Sequence, residues 1–173
     1  MEEIADIENR RRIYRLIAKN PGLNLSDISK IIHLSVQLID YHTSFLEKYG
    51  LITSDKQEGY KRYYPTGSIG AKEKKYLSIL RQEIPLKIVL FLLEKPNSKH
   101  KEILSNFDIL PSALTYHLNK LIKKDIVEFK KEPGSHGVYS LKNEKEIILF
   151  IIKYKPYKIL KRFKDTWEGF HIP

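Results

Sequence analysis

Apolar side chains recur at helical spacing near the start of the chain, where Ile13, Leu16 and Ile17 follow the basic run Arg10-Arg11-Arg12. Asn20-Pro21-Gly22 ends that helix, and Ser26 to Ile32 reads as a short second one. After a tight connection at His33-Leu34, Ser35 is placed to cap a third helix running to about Tyr49, with Gly50 as its left-handed stop. Leu51-Ile52 and Tyr60 to Tyr64 then read as two strands joined at Glu58-Gly59. The predicted order is helix, helix, helix, hairpin.

The pattern returns. Shifted by 75 positions, residues 13–52 lie over residues 88–127 without a gap, so that Ile13 meets Ile88, Pro21 meets Pro96 and Tyr41-His42 meets Tyr116-His117. The register is expected to continue through Gly59 over Gly134 and Tyr64 over Tyr139, giving a repeating unit of roughly 55 to 60 residues, a size that buries only about 60% of its unfolded surface. The second copy predicts helices over 86–94, 99–107 and 111–124, with Pro111 suited to a first helical position. Strands are expected at 126–130 and 138–141, with Pro133-Gly134 at the bend.

Between the copies, Thr66 to Gly70 is a flexible joint, and residues 72–82 form a connecting helix with Tyr76, Leu77, Ile79 and Leu80 on its apolar side. Residues 144–155 predict a helix apolar almost all round, which must be covered either inside the monomer or by a second chain. Beyond Pro156, Ile159, Leu160, Phe163 and Trp167 share one face of a further helix. The expected division is a first domain at 1–66, a linker and connecting helix at 67–83, a second domain at 84–142 and a C-terminal helical segment at 143–173.

Charge and composition narrow the function. A formal net charge of +10 and a pI near 9.5 favour a polyanionic partner, nucleic acid ahead of an anionic membrane. The absence of cysteine excludes disulfides, thiolate metal sites and thiol catalysis. The start carries no signal-like apolar core, and Ile147 to Ile152 is far too short to span a bilayer, so a cytoplasmic, nucleoid-associated protein is expected.

In the second copy, Leu110-Pro111-Ser112-Ala113-Leu114-Thr115-Tyr116-His117-Leu118-Asn119-Lys120-Leu121 resembles the recognition helix of ArsR- and MarR-like transcriptional regulators, and Gly59-Tyr60-Lys61-Arg62-Tyr63-Tyr64-Pro65 resembles a wing. Two such units in one chain are similar to the tandem winged helix-turn-helix regulators common in archaea. The resemblance covers residues 10–141. It implies a mainly α fold with small β-hairpin wings, double-stranded DNA as partner and a homodimer.

A helix of this diameter fits the major groove, short polar side chains near its start reach base edges, and cations hold phosphates. In copy two, Leu114, His117, Leu118 and Leu121 form the buried stripe, which leaves Ser112, Thr115, Tyr116, Asn119, Lys120 and Lys123 facing outward. Wing residues Lys130, Lys131 and His136 are candidates for backbone or minor-groove contact. Copy one differs on the face that matters. Residues 35–49 hold one cation, Lys48, against Asp40 and Glu47, whereas residues 111–124 hold three lysines and no acid.

Leu38, Tyr41, Phe45 and Tyr49 form a second apolar stripe on the copy-one helix, which makes Leu38, Phe45 and Tyr49 candidates for a protein interface, with Ile148, Ile151, Phe163 and Trp167. The competing arrangement sends both helices into grooves, with Tyr41 and Phe45 meeting thymine methyls and sugars, Gln37 and Ser44 as further DNA contacts, and Lys56, Lys61 and Arg62 adding contact from the wing. The basic tail from Lys153 to Lys164 admits two roles, nucleic-acid contact or packing with its lysines in solvent.

His42 and His117 occupy equivalent core-side positions, and the other histidines have no partners at metal-ligand spacing. No nucleophile, acid–base pair or phosphate-cradling loop is visible, so no enzyme activity, cofactor, metal or small-molecule effector is expected. The expected function is a DNA-binding transcriptional regulator reading the major groove mainly through the second copy. The alternatives are a tandem winged-helix protein-interaction scaffold, associated with chromosome or polymerase, and a non-specific architectural DNA-binding protein.

Overall fold

The computed structural model describes residues 2–131 and 136–154. It is mostly helical with small antiparallel sheets, and the chain divides into two compact units, Met1–Ser78 and Ile79–Pro173.

The first unit runs α1 (Glu2–Lys19), β1 (Leu23–Asn24), α2 (Leu25–Ile32), α3 (Val36–Lys48), β2 (Ile52–Gln57) and β3 (Tyr60–Pro65). α1 begins well ahead of the arginine run, because residues 2–12 contain no breaker. α2 starts where the Asn24 side chain accepts the Asp27 N–H at 2.9 Å, and α3 where Ser35 Oγ accepts the Leu38 N–H at 3.2 Å. The turn between them closes with His33 left-handed (φ 62°) and Ser29 Oγ donating to the Leu34 carbonyl at 2.6 Å.

The sheet order is β1-β3-β2, all antiparallel. The hairpin pairs Gln57 with Tyr60 across two residues of positive φ, Glu58 and Gly59, the backbone a two-residue turn needs to match strand twist. β1 has two residues, too few to leave a periodic signal. Ile13, Ile17, Leu23, Ile28, Ile32, Ile39, Leu46, Ile52 and Tyr63 form one buried cluster. Each such aliphatic side chain contributes about 1.5–3 kcal/mol over exposure, and together they hold α3 and the hairpin in fixed relation.

α4 (Ala71–Leu80) crosses the division between the units, with Tyr76, Leu77, Ile79 and Leu80 buried. The second unit then runs α5 (Glu83–Glu94), α6 (His100–Leu104), α7 (Pro111–Lys123), β4 (Val127–Lys130), β5 (Val138–Leu141) and α8 (Glu144–Tyr154). α6 is shorter than its sequence pattern. Ser105 Oγ and Asn106 Nδ2 both donate to the Glu102 carbonyl at 2.8 Å, and such local side-chain bonds compete with helix continuation.

Some backbone features recur 75 residues apart. Gly22 and Asn97 both take positive φ, as do Gly50 and Asp125. Leu51 N–H bonds the Leu46 carbonyl at 3.0 Å, and Ile126 N–H bonds Leu121 at 3.1 Å. The expected register fails inside the hairpin. Thr53 pairs with Tyr64, while its counterpart Glu128 pairs with Ser140. Tyr64 therefore corresponds to Ser140, not Tyr139, because the second hairpin holds one more residue; Gly134 lies outside the described residues.

Gly137 sits in that hairpin at φ 70°. A Cβ there would fall 2.3 Å from Phe129 Cζ and 3.2 Å from the Lys130 carbonyl oxygen, so the approach of the Phe129 ring requires glycine. In α8, Ile147, Phe150 and Ile151 are buried, Ile148 is half-buried, and Leu149 and Ile152 are exposed. This corrects the expected interface at Ile151, whose side chain is committed to the interior. Phe163 and Trp167 lie outside the described residues.

Candidate nucleic-acid interface

α7 buries Leu114, Leu118 and Leu121 and turns Ser112, Thr115, Tyr116, Asn119 and Lys123 outward. His117 is half-buried. Burial, then the nearby Lys120 charge, lowers its pKa below the ordinary histidine value. Lys120 is half-buried, its Nζ 3.5 Å from Gln82 Oε1 and 5.3 Å from the centre of the Tyr116 ring. Thr115 Oγ1 donates to the Pro111 carbonyl at 2.9 Å and lies 3.0 Å from His100 Nε2.

Beside α7, Lys131 and His136 are exposed, and Lys130 is paired with Glu128 at 2.7 Å. Lys130's hydrogen bond is the main reason the Glu128 pKa is lowered. Phe129 and Tyr139 stack at 4.8 Å between ring centres, stiffening the base of this hairpin.

In the first unit, Gln37 and Ser44 are exposed on α3, as is Lys56 on β2. Tyr41 is exposed but engaged: its hydroxyl accepts from Arg10 Nη2 at 3.2 Å and donates to Asp6 Oδ2 at 3.3 Å. Arg10 also pairs with Asp6 at 3.2 Å and lies over the half-buried Phe45 ring. Phe45 in turn stacks on the exposed Tyr49 at 4.4 Å, and Leu38 is half-buried. Part of the expected apolar stripe is thus covered by α1 of the same unit, through two residues the sequence reading had not connected to it.

His42 is fully buried on α3, and neither ring nitrogen has a hydrogen-bond partner among the described residues. Burial lowers its pKa, the Asp6 carboxylate 4.0 Å away opposes that shift, and Arg10 adds to it.

The wing cations of this unit differ in fate. Lys61 bonds Glu47 on α3 at 2.7 Å; burial works against its charge, but hydrogen bonds with Glu47 and Tyr63 prevail and its pKa is raised. Arg62 is buried and donates to the Gly22 carbonyl at 2.9 Å. That corrects its expected role as a phosphate anchor, since its charge ties β3 to the α1–β1 turn. Among the described residues no group of three or more His, Asp or Glu stands close enough to hold a metal ion, and no helix is long and apolar enough to cross a membrane.

Helix, turn, helix and antiparallel hairpin define a winged-helix arrangement, and residues 8–53 match the family described as winged helix-turn-helix DNA-binding. Over 138 residues the chain is 32% identical to a protein named as an HTH-type transcriptional regulator in Methanocaldococcus jannaschii. That alignment takes in 80% of this chain and 34% of the relative, so the chain spans about a third of the relative's length.

Proposed function

We propose that the chain is a double-stranded DNA-binding transcriptional regulator, built from tandem winged helices, that reads the major groove mainly with α7. The observation that carries this reading is the outward face of α7, where Ser112, Thr115, Tyr116 and Asn119 precede Lys123 and no carboxylate intervenes. The polar residues suit base edges, and the lysine suits phosphate. Lys131 and His136 extend the basic surface to the hairpin.

The family match over residues 8–53 falls on the first unit and supports DNA contact there too; the exposed Gln37, Ser44 and Lys56 are the candidates for it. Its share is the smaller one in this reading, since Tyr41 and Phe45 are engaged by α1, Lys61 by Glu47, and Arg62 by Gly22. A homodimer would set two half-sites on the DNA.

Footprinting on genomic fragments at low salt, with mass measurement of the complex, tests the proposal. A discrete protected site bound by two chains supports it. Uniform coverage replaces it with an architectural protein. Absence of binding favours a protein-interaction scaffold, with the apolar face of α3, where Tyr49 is exposed and Leu38 half-buried, as its working surface.

A further inference from the structure

His100 Nε2 lies 3.0 Å from Thr115 Oγ1, a contact between α6 and α7 in which the imidazole tautomer decides which group donates. A threonine hydroxyl has one proton and two lone pairs. Here the proton goes to the Pro111 carbonyl one turn back, at 2.9 Å. The contact with His100 is then a hydrogen bond only with Nε2 as donor, filling one of the two lone pairs. The other remains on an exposed side chain in the N-terminal half of α7.

The supports of this pair are local. The Lys99 N–H bonds Glu102 Oε2 at 2.7 Å, which fixes the start of α6 at His100, and the Tyr139 ring lies 6.4 Å from the imidazole. The first unit has Leu25 and Asp40 at the corresponding positions, so this hydroxyl device belongs to the second unit.

We propose that His100 is a positioning residue that, by donating to Thr115 Oγ1, holds the hydroxyl proton on the Pro111 carbonyl and turns the remaining lone pair to the groove, selecting a base that presents an exocyclic amine, adenine N6 or cytosine N4. The inference rests on the reading of α7 as the groove helix. Guanine and thymine offer only hydrogen-bond acceptors on their major-groove edges, so an oxygen whose proton is already committed meets them without a bond.

The full chain would first be used to select its preferred site from randomised duplex DNA. The position read by Thr115 is the one whose preference vanishes in Thr115→Ala. Affinities for the base-pair variants at that position are then compared for wild type, His100→Ala and His100→Gln, with salt slopes and thermal melts for each.

The expected result is a preference of roughly 5- to 100-fold for one base pair in the wild type, lost when the exocyclic amine is removed by placing purine for adenine or 2-pyrimidinone for cytosine. His100→Ala should flatten it to the Thr115→Ala level, and His100→Gln, which keeps an amide donor, should restore most of it. Non-specific affinity, salt slope and melting point should stay level across the set. A preference that survives removal of the exocyclic amine overturns the inference, as does discrimination that survives His100→Ala. So does a salt slope reduced by about one with discrimination intact, which would make His100 a phosphate contact. If the wild type enriches no site, the groove reading itself fails, and this failure appears before any substitution is made.

Discussion

The guanidinium carbon of Arg10 sits 3.6 Å from the centre of the Phe45 ring, and the same side chain is bonded to Asp6 and Tyr41. A half-buried cation on an aromatic face contributes about 0.5–2 kcal/mol, and its hydrogen bonds add to that. Arg10→Ala is expected to destabilise the first unit by about 1–2 kcal/mol, with Arg10→Lys recovering less than half, since ammonium cannot bond two partners in the guanidinium's plane. Urea denaturation reads the effect. An unshifted midpoint would mean that α1 grips α3 through its aliphatic residues alone.

Arg62 and Lys56 should separate stability from DNA binding. Arg62→Ala removes a buried, charged hydrogen bond to the Gly22 carbonyl and is expected to cost roughly 1.5–3 kcal/mol in a melt while leaving the salt dependence of DNA binding unchanged. Lys56→Ala should do the reverse: an unchanged melt, and a log–log salt slope smaller by about 0.9 if Lys56 meets a phosphate. A salt slope that moves with Arg62 instead would return that residue to the DNA surface.

The two third helices can be weighed against each other on one DNA fragment at fixed salt. Asn119→Ala with Lys123→Ala should weaken binding by roughly 1–3 kcal/mol, flattening sequence preference and salt slope together. Gln37→Ala with Ser44→Ala should cost less than about threefold, by this division of labour. Equal losses from the two pairs would mean that both helices enter grooves.

Acid should loosen the first unit through His42. Its pKa is lowered in the folded state, so the unfolded chain binds the proton more tightly. His42 therefore contributes stability that is present above the unfolded value near 6.5 and is lost as pH falls through the lower folded value. Each tenfold in proton affinity amounts to about 1.4 kcal/mol. The difference in unfolding free energy between pH 7.5 and pH 5 should shrink in His42→Leu, as read by urea titration at both pH values. An identical pH dependence in the variant would assign the acid sensitivity elsewhere, for which the half-buried His117 shifts in the same direction.

Helices and hairpins were legible because apolar spacing, Ser35 and Pro111 act within a few residues of where they stand. The outward and inward faces of α7 follow from the same periodicity, except that His117, expected inside, and Lys120, expected outside, are both half-buried. What escaped the sequence depends on contacts distant along the chain. Arg62 stands in a hairpin that reads as exposed and basic, yet its burial is decided by a carbonyl 40 residues earlier. Asp6 and Arg10 meet Tyr41 across α1 and α3, and a run of arginines gives no sign of which one folds inward. The slip in the second hairpin hid for another reason: tyrosine recurs at 63, 64 and 139, so an incorrect alignment still overlaid identical residues.

Gly22 and Asn97, 75 residues apart, each make a left-handed corner, and so do Gly50 and Asp125 at the same separation. Glycine enters that conformation without steric penalty, while a side chain there meets its own carbonyl, somewhat less severely for Asn and Asp than for other residues. At these two corners the chain path is therefore relaxed in the first unit and held under load in the second, while His33 and Glu58 carry the comparable load in the first. At those corners, Asn97 and Asp125 are where replacing a side chain by hydrogen would release it.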